Sequence, residues 1–89
     1  MRTALAAFCG KRLSVYATTG TRKGALTVLR QVRDEDHHLI AEHIWVELPE
    51  QVKPGHLIGF TGRVYQYIRS RTFEPDYSIK PTSKPIVWR

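Results

Sequence analysis

Eighty-nine residues with 42% apolar and 10% aromatic side chains suffice for one folded domain, but a chain this short buries only roughly 60 to 65% of its unfolded surface, leaving little room for a deep catalytic cavity. A net charge of +6 and a pI near 9.9 argue against a cationic partner and for a polyanionic one. The single cysteine, Cys9, excludes an internal disulfide, and no stretch approaches the roughly 20 apolar residues of a membrane span.

A first strand is expected over about Thr3 to Thr18, with Gly10 near its middle marking a bulge or bend. Cys9 lies in its apolar part and reads as a buried, inert thiol. Ala4 to Cys9 is too short for the apolar region of a secretory signal, so a soluble protein of the reducing cytoplasm is expected. Thr19-Gly20-Thr21-Arg22-Lys23-Gly24 reads as a basic turn or loop. Ala25 to Arg33 reads as a second strand, with Leu26, Val28 and Val32 on one face and Arg30 interrupting the row. Asp34 to His38 is a polar hairpin tip.

Leu39 to Leu48 follows as a third strand, with Ile40, Ile44, Val46 and Leu48 on one parity and Ala41, His43, Trp45 and Glu47 on the other. Pro49 to Gly55 is a connection holding the turn signal Lys53-Pro54-Gly55, with space for a single helical turn at most. His56 to Arg69 is the fourth strand, bent or closely approached at Gly59 and Gly62. After a loop over 70–75, Asp76 to Trp88 forms a last, broken strand, which Pro81 and Pro85 confine to an edge or an extended tail.

The charges are blocked. Residues 1–33 carry seven Lys or Arg, Arg2 among them, and no acid; residues 34–50 carry six acids and no Lys or Arg; residues 51–89 carry seven basic and two acidic residues. Such blocks suggest a basic surface with an acidic patch apart from it. Within the fourth strand, Val64 and Ile68 continue the apolar row of Ile58 and Phe60, while Arg63, Tyr65, Tyr67, Arg69 and Arg71 share the other parity. Guanidinium groups supply phosphate contacts and planar stacking, and tyrosine rings supply flat surfaces for unpaired bases, so one strand face carries both requirements of a single-stranded nucleic-acid site.

Strands of this number and spacing fit a single small β-barrel over residues 1–89, the last strand and tail occupying about 76–89. The run Val52-Lys53-Pro54-Gly55-His56-Leu57-Ile58-Gly59-Phe60-Thr61-Gly62-Arg63-Val64 resembles the approach to the fourth strand of OB-fold domains. Ala41 to Val46 and Asp76 to Pro81 resemble the corresponding stretches of small OB-like proteins of phages and mobile elements. The likeness spans about residues 25–81; the first strand carries no recognisable motif, and the link between the third and fourth strands is too short for the helix many OB folds place there. It implies an all-β, five-stranded OB-like β-barrel with little or no helix, with an SH3-like barrel as the structural competitor. It also implies a binding module for single-stranded DNA or RNA, DNA favoured, in the manner of a replication accessory protein. Its ligand would cross the second and third strands between the loops at Thr18 to Gly24 and Ser70 to Pro75.

The candidate nucleic-acid-binding residues are Arg22, Lys23, Arg30, Trp45, Arg63, Tyr65, Tyr67, Arg69, Arg71 and Phe73. Lys11, Arg12 and Arg33 are further candidates for phosphate contacts, which set affinity and salt dependence but not sequence preference. His43 shares the parity of Trp45 and suits a structural hydrogen bond. His37, His38, His43, His56 and Cys9 lack ligand-type spacing, so no metal and no cofactor are expected. No nucleophile–base–acid set or phosphate-cradling glycine loop is present, so the chain reads as a binding protein and not an enzyme. A homo-oligomer or a replication or recombination protein are further expected partners. The competing reading is a protein-interaction or oligomeric accessory module, supported by the acidic block and by the edge-prone last segment with Trp88.

Overall fold

In the computed structural model, which describes residues 3–88, the chain forms α1 (Thr3–Ala6), β1 (Arg12–Lys23), β2 (Leu26–Arg33), β3 (Leu39–Glu47), β4 (Leu57–Ile68), β5 (Pro75–Pro81) and β6 (Ile86–Trp88). Arg2 and Arg89 lie outside the described residues. The strand order is β3-β2-β1-β4-β5, antiparallel throughout. The two ends of this path approach each other, and Ser78 Oγ on β5 donates to the Trp45 carbonyl on β3 at 3.1 Å. The result is an all-β, nearly closed five-strand barrel, compatible with an OB-like fold.

β1 makes this closure possible. It pairs with β4 through Arg12–Thr18 and with β2 through Tyr16–Lys23, so it must curve from one half of the barrel to the other. The close approach falls at Gly20, where an added Cβ would stand 2.7 Å from Val28 Cγ1. Gly10 plays a different part. It lies in the turn before β1 at φ +82°, a conformation glycine adopts without penalty, and its N–H donates to Val64 O at 2.8 Å.

The stretch expected as the start of the first strand is instead α1. Ala4, Leu5 and Ala6 favour helix, and Leu5 is fully buried where the segment packs on β3, β4 and β5. Leu5 thereby joins the hydrophobic core with residues of β3, β4 and β5. Cys9, in the turn after α1, is exposed and not buried, because the turn lifts it off the barrel. The 49–56 connection is held by Thr19, whose Oγ1 donates to the Lys53 carbonyl at 2.7 Å and accepts from the His56 N–H at 3.0 Å.

The core contains Val15, Leu29, Val32, Ile44, Val46, Ile58, Val64 and Ile79, all at or below 1% exposure. The inward row of β3 is as expected: Ile40, Ile44, Val46 and Leu48 are buried. β2 departs from its expected parity. Thr27 and Leu29 point inward, and Gln31, at φ +55°, makes a bulge that brings Val32 inward too, so Leu26 and Arg30 are exposed on the other face, where Val28 is nonetheless buried at 4% exposure against Gly20. The inward row of β4 also ends early. Ile68 is 58% exposed because the far half of β4 leaves the barrel as a hairpin arm with β5. The last strand is broken as expected: β5 ends at Pro81, and β6 resumes pairing on β4 at Leu57–Gly59. Among the described residues no helix is long and apolar enough to cross a membrane.

Candidate nucleic-acid interface

Trp45 sits at the centre of the outer surface where β3 meets β5. It is half-buried, its neighbours Ile44 and Val46 pointing into the core. Three adjoining concavities share its ring. The first, about 430 Å³, lies over the β3–β5 seam and is lined by Leu26, Trp45, Glu47, Tyr65 and Lys80. The second, about 570 Å³, runs along the β4–β5 arm past His43, Trp45, Tyr67, Arg69 and Arg71. The third, about 390 Å³, extends over β1 and β2 past Thr21, Lys23, Val28, Arg30 and His43.

On the arm, the rings of Tyr65 and Tyr67 are 6.1 Å apart and tilted by 46°. Tyr65 is 43% exposed. Tyr67 is more constrained: its hydroxyl donates to Asp76 Oδ2 at 3.3 Å, and Arg69 Nε donates to the same oxygen at 2.7 Å. Asp76 is buried, and its other oxygen accepts the Tyr77 N–H at 2.8 Å. The hydrogen bond and charge of Asp76 hold the Arg69 guanidinium above its ordinary pKa. The arm ends in a tight tip closed by Arg69 N–H to Glu74 O at 2.9 Å and Phe73 N–H to Arg69 O at 2.8 Å. Phe73, at φ +57° and 79% exposure, projects from that tip beside the exposed Arg71.

On the opposite flank, Lys23 Nζ stands 5.8 Å from the Trp45 ring centroid, a cation–π arrangement. Arg30 is exposed and in register with His43. Lys23 belongs to β1 itself, which runs on through the segment expected to be a loop; the turn is confined to Gly24 and Ala25. The bulged β1–β2 pairing converts that expected loop into a hairpin end.

Seven of the ten sequence candidates therefore gather around Trp45 or on the arm beside it: Lys23, Arg30, Tyr65, Tyr67, Arg69 and Arg71 with Trp45 itself. Phe73 stands at the arm's tip. Arg22 points away from this surface: its Nη1 donates to the carbonyls of Leu48 at 2.8 Å and Pro49 at 3.0 Å, tying β1 to the end of β3. Arg63 shares the outer face of β4 but lies beyond the three concavities, with Nη1 donating to Gly10 O at 2.9 Å. Glu47, Lys80 and Leu26 line the surface without having been singled out from the sequence, because β3–β5 adjacency arises only on closure. Asp76 was likewise unmarked, although its spacing of seven from Arg69 suits a hairpin pair.

Elsewhere, ligand atoms of Asp34, Asp36 and His38 lie within 4.8 Å of one another. Asp34 Oδ1 already accepts the N–H groups of Asp36 and His38, each at 2.9 Å, so the cluster is a self-capped turn. Comparison of the chain with protein-family models, with curated proteins and with solved structures finds no match.

Proposed function

We propose that this barrel binds single-stranded nucleic acid on the outer surface around Trp45, largely without sequence preference and without catalysis. The observation that carries the reading is the position of Trp45, shared by three adjoining concavities with Lys23 and Arg30 on one side and Tyr65, Tyr67, Arg69 and Arg71 on the other. Lys23, Arg30 and Arg71 capture phosphates; Trp45 and Tyr65 stack bases, each worth about 1 to 3 kcal/mol. The Glu47 carboxylate repels phosphate at the seam, so bases turn towards Trp45 and Tyr65 while the backbone follows the cations. A shallow, open surface suits unpaired bases better than a rigid duplex. DNA is favoured over RNA on the likeness to phage and mobile-element OB domains noted above, and the same likeness suggests a replication accessory role.

The test is a polarisation titration with single-stranded DNA, RNA and duplex across a salt series. Tight binding of oligo-dT that weakens steeply with salt, with quenching of tryptophan fluorescence, is expected. Duplex affinity equal to or above single-strand affinity overturns the reading. An interaction module is the second reading, favoured by one observation: Ile86, Val87 and Trp88 are all exposed on the short strand β6. Silent oligonucleotide titrations with concentration-dependent sedimentation would support it.

A further inference from the structure

From Lys80, at the edge of the Trp45 surface, three cations stand side by side. Arg12 on β1 is directly opposite Arg63 on β4, and Arg63 is directly opposite Lys80 on β5. Residues opposed on antiparallel strands share a face, and all three are exposed, so the row crosses the outer wall of the barrel. Like charges so opposed repel, and among the described residues no carboxylate forms an ion pair with any of them. Arg12 also borders the acidic 34–36 turn, but without pairing to it. Arg63 gives one donor to Gly10 O, which fixes the guanidinium and leaves the rest of its fork available. An unpaired cation row held in place on a strand is suited to a polyanion, whose arrival relieves the repulsion.

The row joins two aromatic areas along one face of β4. At one end is Tyr65, beside Lys80 in the seam concavity. At the other end is Gly59, over which the Trp88 ring lies so closely that a Cβ would meet Trp88 Cη2 at 2.8 Å and Tyr16 Cδ1 at 3.1 Å. The rings of Tyr16 and Trp88 are 5.9 Å apart, tilted by 36°, and border a shallow cavity of about 190 Å³ with Lys84 and Ser83 at its rim. Trp88 remains 40% exposed. At about 3.3 Å per residue, Tyr65 and Gly59 are roughly 20 Å apart along the strand, within the span of a single OB-sized footprint.

We propose that a single strand seated at Trp45 and Tyr65 continues across the Arg12–Arg63–Lys80 row, which takes its phosphates, to a second stacking platform formed by Tyr16 and Trp88. This path rests on the proposed single-strand binding and extends it off the β2–β3 face. It makes affinity depend on oligonucleotide length. Titrations of the 89-residue chain with labelled dT of about 4 and about 16 nucleotides test it. Trp88→Ala and the double variant Arg12→Ala with Arg63→Ala should bind the short oligonucleotide like wild type, which also reports intact folding. Both should bind the long one at least about fivefold more weakly. The double variant should also lose about 1.4 from the long oligonucleotide's salt slope, about 0.7 for each phosphate contact. Equal loss at both lengths, no loss at either, or a Trp88→Ala variant that alters sedimentation instead of long-oligonucleotide affinity overturns the path; the last outcome marks β6 as an interface between copies. If wild type binds neither length, the single-strand reading itself falls. If it binds the short oligonucleotide and gains nothing from length, only the extended path falls.

Discussion

Ser78 Oγ donates a 3.1 Å hydrogen bond to the backbone carbonyl of Trp45, thirty-three residues away in sequence. The bond fastens β5 to β3 behind the ring at the centre of the candidate surface, so barrel closure and site assembly are a single event. Ser78 is 3% exposed, so its removal takes from the part-buried Trp45 carbonyl its partner on β5. Ser78→Ala should cost about 1 to 2 kcal/mol, read as a lower urea midpoint at unchanged m. It should also weaken oligo-dT binding beyond what lost folding explains.

Stacking and charge separate experimentally. Trp45→Ala and Tyr65→Ala should each weaken oligo-dT binding by about 5- to 100-fold while leaving the salt slope unchanged. Lys23→Ala and Arg71→Ala should weaken all single-stranded sequences alike and lower the slope by about 0.7 each.

Arg22 should behave unlike its neighbour Lys23. Its guanidinium is spent on the carbonyls of Leu48 and Pro49, so Arg22→Gln should destabilise the fold by about 1 to 2 kcal/mol. The salt slope of binding should not move. A slope change equal to that of Lys23→Ala would place Arg22 on the ligand.

The two glycines of β4 should differ when changed to alanine. At Gly62 the added Cβ would strike Ile79 Cγ2 and stand 2.9 Å from the Lys80 carbonyl, where backbone must yield. Gly62→Ala should therefore cost about 1 to 3 kcal/mol by thermal or urea unfolding. At Gly59 the obstacle is the exposed Trp88 ring, which swings away. Gly59→Ala should change stability less and red-shift the tryptophan emission.

Asp76 masks Arg69 and holds the Tyr67 hydroxyl. Asp76→Asn should loosen the arm, read as faster amide exchange over 66–77, and raise the salt slope of oligo-dT binding by about 0.7 as Arg69 becomes available to phosphate. The pH dependence has a definite sign. The folded pKa of Arg69 is raised, so its contribution is fully present below the unfolded value and is lost only as pH rises through the still higher folded one. Arg69 should contribute no change in stability anywhere in the neutral to moderately alkaline range, which unfolding midpoints of wild type and Arg69→Ala measured across that range would check.

Much of the barrel was legible because it rests on period-two patterning. Period two holds over Ile44–Glu47 of β3 and Gly62–Tyr65 of β4, so Ile44, Val46 and Val64 declared the core and Tyr65 the outer face, whereas Ala41, expected on the outer parity of β3, is 1% exposed because the pairing shifts register there. Pro81 and Pro85 announced the break between β5 and β6 for an equally local reason, the missing ladder donors. Where one residue breaks the period, the reading failed: Gln31 at φ +55° shifted the inward row of β2, and a Gly-flanked basic stretch that looked like a loop became the end of β1 because β2 paired with it.

The sequence by itself determined the strand content, the excess of positive charge and the aromatic–arginine face of β4, since each depends only on residue type and alternation. Tertiary structure alone decided which of these residues meet. Trp45 and Tyr65 share a surface because β1 curves to pair on both sides and brings β3 against β5. Arg12, Arg63 and Lys80 form a row because register, set by pairing between distant strands, places them opposite one another. The burial of Leu5 likewise follows from contacts with β3, β4 and β5, which only the closed sheet brings together. Local alternation is written one residue at a time; adjacency across strands depends on how far each strand bends and where each bulge falls, and those are settled by packing.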